Sequence, residues 1–424
     1  MRPLLLWLGC ALAIGCPSEP TGGDAGEPIP DAGRPGQDAG AGDIAPPPDA
    51  GYIPPESVVV HVTLDGVPTG GVRVQQGGQH RHQLTDDSGT ARVPINAAVD
   101  GDLGIVASHP EARQGYASIG PLSPAELTLD LLRYDTSDNE EYFFSDPGEP
   151  TRRDNTGICS HCHQVLGDLW FDSAHRQSAS NPKVHDVYQG VRSDLRSARS
   201  CTQRGGNWLH ARLPGGGNGE RCFIGDGVLS SLNLGCEEGP CPDPAMAGDC
   251  ANCHAPGIDG SLGRRDLLHA TGRAYDYGVH CDVCHRVDSI APEAPAGVAG
   301  RLRLTRPSEP GDFALGRFLP LTFGPSHDSP NVRMGSVQRD HFRDGTLCVG
   351  CHEYRQPGRV AGIDPERFAD RKIPVQTTFS EWKEGVFGDV VACNGCHMPP
   401  VADTLNSANL ERFLPAAKTG LQAG

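Results

Sequence analysis

The chain has 424 residues and a formal net charge of −17, with 37% hydrophobic and 6% aromatic residues. That length leaves room for more than one domain, and the acid excess repels nucleic acid and anionic lipid while suiting a basic or neutral protein partner. So few apolar side chains predict a core completed by something other than the chain itself.

The chain opens Met1-Arg2-Pro3, then an apolar run Leu4–Ile14, then Gly15-Cys16-Pro17. A positive start before a short apolar stretch predicts a secretory signal over residues 1–15, too short to remain as a spanning helix. Leu12-Ala-Ile-Gly-Cys16 resembles the cleavage box of bacterial lipoproteins, which makes Cys16 the expected lipid anchor. The protein would then sit on the periplasmic side of a membrane or at the cell surface; simple cleavage to a free protein is the alternative. No later stretch approaches the length of a membrane span. Residues 16–56 are expected to be a disordered linker. Asp-Ala-Gly recurs there at Asp24, Asp31, Asp38 and Asp49 among Pro and Gly, with almost no aliphatic side chain to offset the entropy of ordering. A coil of this length spans about 35 Å.

Residues 57–134 read as an all-β sandwich. Val58–Leu64 is a β-branched run closed by Asp65-Gly66, and shorter runs follow at Val72–Val74, His80–Leu84, Thr90–Ile95, Leu103–Ser108 and Leu127–Leu132. Gly77-Gly78, Asp86-Asp-Ser-Gly89 and Asp100-Gly101 punctuate them at sandwich spacing. The segments Asp65-Gly-Val-Pro68 and Thr85-Asp-Asp-Ser-Gly89 resemble the carboxypeptidase-regulatory-like domains, which implies a spacer or docking module. His80 and His82 alternate along one expected strand face, which reads as solvated rather than metal-binding.

From 135 to 424 the chain is expected to be a mainly α-helical and irregular multihaem cytochrome c domain. Cys-x-x-Cys-His, the attachment signature of c-type haem, occurs five times: Cys159/Cys162/His163, Cys250/Cys253/His254, Cys281/Cys284/His285, Cys348/Cys351/His352 and Cys393/Cys396/His397. Chance placement of 16 Cys and 17 His predicts about 0.02 copies. The spacing has a chemical reason: residues three apart share a helix face, so two thiols reach the two vinyl edges of one porphyrin. The adjacent histidine is then held beneath the iron. Zinc sites do not demand His at the next position. Five covalent haem c groups follow, held through these fifteen residues, with short helices at the motifs and long irregular connections between them. The step from 250 to 281 is the shortest, so those two motifs are expected to be neighbours.

The 91-residue step from 159 to 250 contains an insertion over about Ser193–Pro244 with four further cysteines, Cys201, Cys222, Cys236 and Cys241. In an exported chain an even number of spare thiols predicts disulfides. Cys201–Cys222 with Cys236–Cys241 is the simplest of three pairings, and a metal site including His210 is the rival.

Each iron needs a sixth ligand or leaves an open position. Met246, Met334 and Met398 are the thioether candidates, and Met398 follows His397 too closely to reach the same iron. Among spare histidines, His161 and His280 sit within or beside motifs and His210 lies in the insertion. That leaves His175, His269, His327, His341 and, less securely, His185 as distal ligands. Bis-histidine ligation predicts a low-potential set.

Three segments carry a family resemblance. Cys159-x-x-Cys162-His163 with Trp170, Ser173 and His175, then Gly278-Val-His-Cys281-Asp-Val-Cys284-His285, then Val375–Trp382 with Cys393–Pro399 resemble multihaem cytochromes related to the tetrahaem electron acceptor of hydroxylamine oxidoreductase. The resemblance covers about residues 150–400 and implies a distal-ligand role for His175. The chain departs from that family in its fifth motif, its insertion and its β-domain. The expected function is single-electron transfer between redox partner proteins. The alternative is an oxidoreductase acting on a small nitrogen or sulfur species at one five-coordinate haem; no Cys-x-x-Cys-Lys motif of the pentahaem nitrite reductases is present.

Overall fold

The computed structural model describes residues 52–98, 103–155, 157–225, 249–308, 321–329, 334–356, 364–388 and 390–399. The expected signal, Cys16, nearly all of the linker, Cys236, Cys241 and Met246 lie outside the described residues. No described helix is long and apolar enough to cross a membrane.

Alternation builds the N-terminal domain. Strand β1 (Ser57–Leu64) buries every second side chain, with Val58, Val60, Val62 and Leu64 facing inward. It turns through Asp65 and Gly66, both at positive φ, the geometry of a tight hairpin, into β2 (Val67–Pro68). The strands β3 (Arg73–Gln76), β4 (His82–Leu84), β5 (Thr90–Pro94), β6 (Gly104–His109), β7 (Ala112–Ser118) and β8 (Glu126–Leu131) follow. One sheet runs β2-β1-β5, with β8 pairing parallel to β1; the other runs β4-β3-β6-β7. The two enclose a single apolar cluster that includes Val60, Val74, Ile105, Ala112, Leu129 and Leu131. Each such fully buried Val or Leu stabilises the domain by about 1.5–3 kcal/mol. His80 precedes β4 and only His82 lies on it, so the two histidines do not share a strand face; both are exposed. Strand β7 had no sequence signature, because Ala112–Ser118 at the sheet edge is mostly small and polar.

Beyond Tyr134 the chain folds in short pieces. All five Cys-x-x-Cys-His motifs begin on or contain a helical turn: Cys159–Cys162, Cys250–His254, Cys281–Cys284, Thr346–Val349 and Cys393–His397. The connections are less irregular than the Gly and Pro content predicts. Among the described residues they contain four two-stranded sheets: β9 (Asn207–Arg212) with β10 (Asn218–Phe223), β11 (Val287–Ile290) with β12 (Leu302–Leu304), β13 (Leu321–Gly324) with β14 (Gly335–Gln338), and β15 (Tyr354–Gln356) with β16 (Ile373–Gln376). Backbone donors and acceptors removed from water must be paired, and local strand pairs do so without a large core. Apolar packing here is split into small clusters, one around Leu267 and Leu268, one around Phe323 and Leu321, one around Val287 and Leu302.

The β-domain and the motif region meet directly. Tyr134 packs edge-on against Phe323 at 5.6 Å, its hydroxyl donates to Asp288 at 3.3 Å, and Arg339 binds both Tyr134 and Asp288. Burial pushes the Tyr134 phenol up to about 12.

Candidate cofactor-binding site

Three of the motifs close on themselves in the same way. The backbone N–H of the histidine donates to the carbonyl of the first cysteine in His163 (3.0 Å), His285 (2.9 Å) and His352 (2.8 Å), so thiols and imidazole stay within one turn. Nδ1 of the ring then finds an acceptor or partner that fixes its orientation. His285 Nδ1 lies 2.6 Å from the Phe323 carbonyl, His254 Nδ1 lies 3.2 Å from the Ser178 carbonyl, and His352 Nδ1 lies 2.8 Å from the Gln376 amide nitrogen. In His285 and His254 the partner is a carbonyl, so Nδ1 donates and Nε2 is presented for ligation, the arrangement metal-binding histidines adopt. The Gln376 amide donates to His352 Nδ1, which fixes that ring with its proton on Nε2; ligation through Nε2 would need the amide turned to offer its oxygen instead.

The fifth motif departs from this pattern. Cys396, expected as an attachment cysteine, is exposed, whereas the other nine motif cysteines are half-buried. His397 beside it is exposed too, and the turn Cys393–His397 buries none of its residues. The chain therefore walls in four of the attachment turns and leaves Cys396 and His397 of the fifth facing outward. Among the described residues the turn's side-chain anchor is Asn394, which donates to the Phe342 and Arg343 carbonyls at 3.0 Å. That anchor fixes the start of the turn rather than Cys396. Cys393 and Cys396 nonetheless share one helical turn, as the other attachment pairs begin on one.

The thiols of different motifs come together. Cys281 is hydrogen-bonded to Cys159, Cys351 to Cys253 and Cys348 to Cys393, while Cys284 senses the charge of Cys351. The hydrogen bond to Cys159 and burial hold the Cys281 thiol well above its usual range, and burial pushes Cys284 and Cys348 up to about 12. The motifs therefore form a connected series. The third lies beside the first, the fourth beside the third, and the second and fifth beside the fourth. Gly257, three residues past the 250 motif, lies against His280 beside the 281 motif: a Cβ there would meet His280 Nε2 at 2.8 Å. The thiol partner of Cys281 is nonetheless Cys159 of the first motif, since tertiary packing rather than chain separation decides which thiols meet.

His175 belongs to a turn that joins three motifs. Val279 N–H donates to the His175 carbonyl at 3.0 Å, and the Trp170 indole donates to the Val279 carbonyl at 2.8 Å. Ser178 Oγ donates to the His254 carbonyl at 2.8 Å and accepts from Val279 N–H at 3.1 Å. Gly278, at φ 49°, lets the two segments approach: a Cβ there would strike Ser178 Oγ and lie 2.8 Å from the His175 carbonyl. The result sets the His175 and His352 rings 6.1 Å apart and nearly perpendicular. Two imidazoles on opposite sides of one metal, each bonded at about 2 Å, have centroids about 6 Å apart.

The other spare histidines are dispersed. His341 is 8% exposed on the turn Asp340–Phe342; the Val287 carbonyl accepts from its ring, and its Nε2 has no partner among the described residues. Phe342 lies between it and His285, at 4.6 Å from the first ring and stacked at 5.7 Å on the second. His185 is buried beside Tyr275, with Nε2 2.7 Å from the Ala179 carbonyl and Nδ1 without a partner among the described residues. His269 ends the turn Leu267–His269. His327 faces the β-domain, with Nδ1 3.1 Å from Ser108 Oγ. His161 Nδ1 is 2.6 Å from the Arg153 carbonyl. Met334 is half-buried and Met398 exposed. His280, set aside from the sequence because it adjoins a motif, is 2% exposed, packs edge-on against Phe144 and leaves Nδ1 without a described partner. Its burial depends on Phe144 and Gly257, far away in sequence, so no local signal marks it.

In the insertion, Cys201 and Cys222 form a disulfide that ties the helix Ala198–Gln203 to the β9–β10 hairpin. His210 is exposed on β9 with Nδ1 3.5 Å from Glu220. With both thiols oxidised, neither is a thiolate ligand for a metal at His210.

The third motif has a further support that sequence reasoning missed. Asp282 accepts from Tyr142 Oη (2.7 Å), Ser145 N–H (2.7 Å) and Arg286 Nε (2.8 Å). Burial opposes the Asp282 charge, but Arg286 and these donors prevail and hold its carboxyl below the usual range. An acid at 282 with an arginine four residues on was the available signal.

The donor set fits covalent haem. It offers paired thiols on one turn, imidazoles oriented through Nδ1, and buried ring nitrogens at His341, His185 and His280 that no described protein atom satisfies.

No family model matches the chain, and no curated protein does. The family resemblance is therefore carried by the motif residues alone.

Proposed function

We propose that the protein is an electron-transfer cytochrome that carries five covalently attached haem c groups and relays single electrons between protein partners. The observation that carries this reading is the recurrence of one complete attachment turn five times, in one connected series. Bound haem supplies the one-electron couple. The protein's own residues do the rest. The ten motif cysteines provide the covalent attachment, and His163, His254, His285, His352 and His397 provide the proximal nitrogens. The carbonyls of Phe323 and Ser178 and the amide of Gln376 keep three of those rings in one orientation. His175 is the distal partner of His352, with His269, His327, His341 and His185 as the remaining distal candidates. Adjacency of the motifs keeps the steps between redox centres short, and the acid excess favours a basic partner.

The test is denaturing mass spectrometry of protein matured with a haem-attachment apparatus, followed by potentiometric titration. Five haem additions and titration over a low-potential range are expected. A consistent count of four or fewer sinks the five-haem reading. A high-spin iron that turns over a small nitrogen or sulfur species would make the protein a catalyst instead.

A further inference from the structure

The β-domain grips one short segment of the motif region with its own side chains. Residues 325–329 leave β13, whose Phe323 carbonyl orients His285, and run along β6, β7 and the β3–β4 turn. Gln114 Nε2 donates to the Ser326 carbonyl at 2.7 Å, and its Oε1 accepts from Ser329 N–H at 2.9 Å. Asp328 Oδ2 accepts from Gly78 N–H at 3.1 Å. At the centre, Ser108 Oγ lies 3.1 Å from His327 Nδ1. Ser108 is 8% exposed, so little water competes for its hydroxyl. Four contacts from three places in one domain converge on five residues, and the only imidazole among them is fixed through Nδ1. A spacer has no need of such a grip. A histidine whose Nδ1–H is held by an oxygen acceptor has its tautomer and rotation set for ligation through Nε2.

We propose that the β-domain is a positioning element for a haem, with Ser108 orienting His327 as a distal ligand and Gln114 holding the backbone on either side of it. This rests on the haem reading given above. Ser108 touches no iron. It acts through His327, so its loss should weaken one axial bond and leave the haem count unchanged. Removal of such a supporting partner lowers metal-ligand affinity by about 10- to 100-fold, so an exogenous ligand should displace His327 that much more readily.

The test uses the full, haem-loaded chain in five forms: wild type, Ser108→Ala, Ser108→Thr, Gln114→Ala and His327→Ala. Mass spectrometry comes first, because failure to carry haem in the wild type defeats the parent reading and is seen before any spectrum is taken. With haem present, His327→Ala should convert one low-spin iron to high spin in paramagnetic resonance. Ser108→Ala should shift the g-values of one low-spin iron and raise its affinity for carbon monoxide by about 10- to 100-fold. Ser108→Thr, which keeps the hydroxyl, should restore both. Gln114→Ala should produce a weaker shift of the same signal and gives a second reading where Ser108→Ala folds poorly. The proposal is overturned if His327→Ala stays fully low-spin. It is equally overturned if Ser108→Ala and Gln114→Ala lower only thermal stability while every spectrum matches wild type.

Discussion

Asp282→Asn should be among the most damaging single changes within a motif. Asp282 is 6% exposed and Arg286 2%, so the pair has almost no water to fall back on. In the wild type the carboxylate satisfies three donors, among them Arg286, whose guanidinium also lies 5.2 Å from the centre of the Tyr142 ring. The amide keeps one acceptor oxygen but turns an NH2 toward donors and leaves a buried cation uncompensated. Breaking a buried pair from one side costs about 3–5 kcal/mol, whereas an exposed pair is worth about 0–1 kcal/mol. The pH dependence has a definite sign. The carboxyl is held below its unfolded value of about 3.9, so its contribution is present above that value and is lost as pH falls through the lower folded one. Urea unfolding of wild type and Asp282→Asn, monitored by the Soret band at pH 7 and pH 3, measures both effects. The expected result is a gap of about 3–5 kcal/mol at pH 7 that narrows in acid. A gap under about 1 kcal/mol, or one independent of pH, refutes the account. Replacing both residues by apolar ones of similar volume should recover much of the loss.

Three other outcomes follow from the geometry. His175→Ala should leave one iron five-coordinate or water-bound, with a high-spin signal and new carbon monoxide binding; a fully low-spin variant removes His175 from the ligand set. Gly278→Ala forces a side chain into Ser178 and the His175 carbonyl at a backbone angle that L-residues resist, a strain of about 1–3 kcal/mol before any clash. It should perturb the same signal as His175→Ala, and an unchanged spectrum with wild-type stability would argue against the close approach. Cys222→Ser opens a bridge between residues 21 apart and should lower stability by about 3 kcal/mol. The loss should be the same whether or not reductant is present in the variant, while wild type should lose it only on reduction.

What the sequence made legible divides along physical lines. The Cys-x-x-Cys-His turns and the β1 alternation are local, so spacing alone displays them. Spacing does not report enclosure, which is why Cys396 looks like its nine counterparts in the chain and differs from them in the fold. Strand β7 is held by its neighbour β6 rather than by its own pattern, and its Ala-Arg-Gln-Gly-Tyr-Ala-Ser run offers no alternation to read. The pairing of His175 with His352 needs two segments 177 residues apart to be brought face to face, and no periodicity encodes that. The Gly278-Val-His segment stands out in the chain only by its likeness to a family. Its physical meaning, a glycine that lets one backbone lie against another, emerges only from the contact. The Ser108 hydroxyl belongs to a strand that reads as ordinary β-structure, so its role toward His327 could not be read from the chain.

The meeting of thiols from separate motifs has a consequence for biogenesis. Cys159 with Cys281, Cys253 with Cys351, and Cys348 with Cys393 meet once the polypeptide has folded, so that in an exported chain, as proposed, a dithiol oxidase would be able to weld them. Each weld would consume one attachment point from two motifs at once. On the proposed haem reading, thioether formation would therefore have to win a race against collapse, while the chain is still extended and its cysteines are far apart.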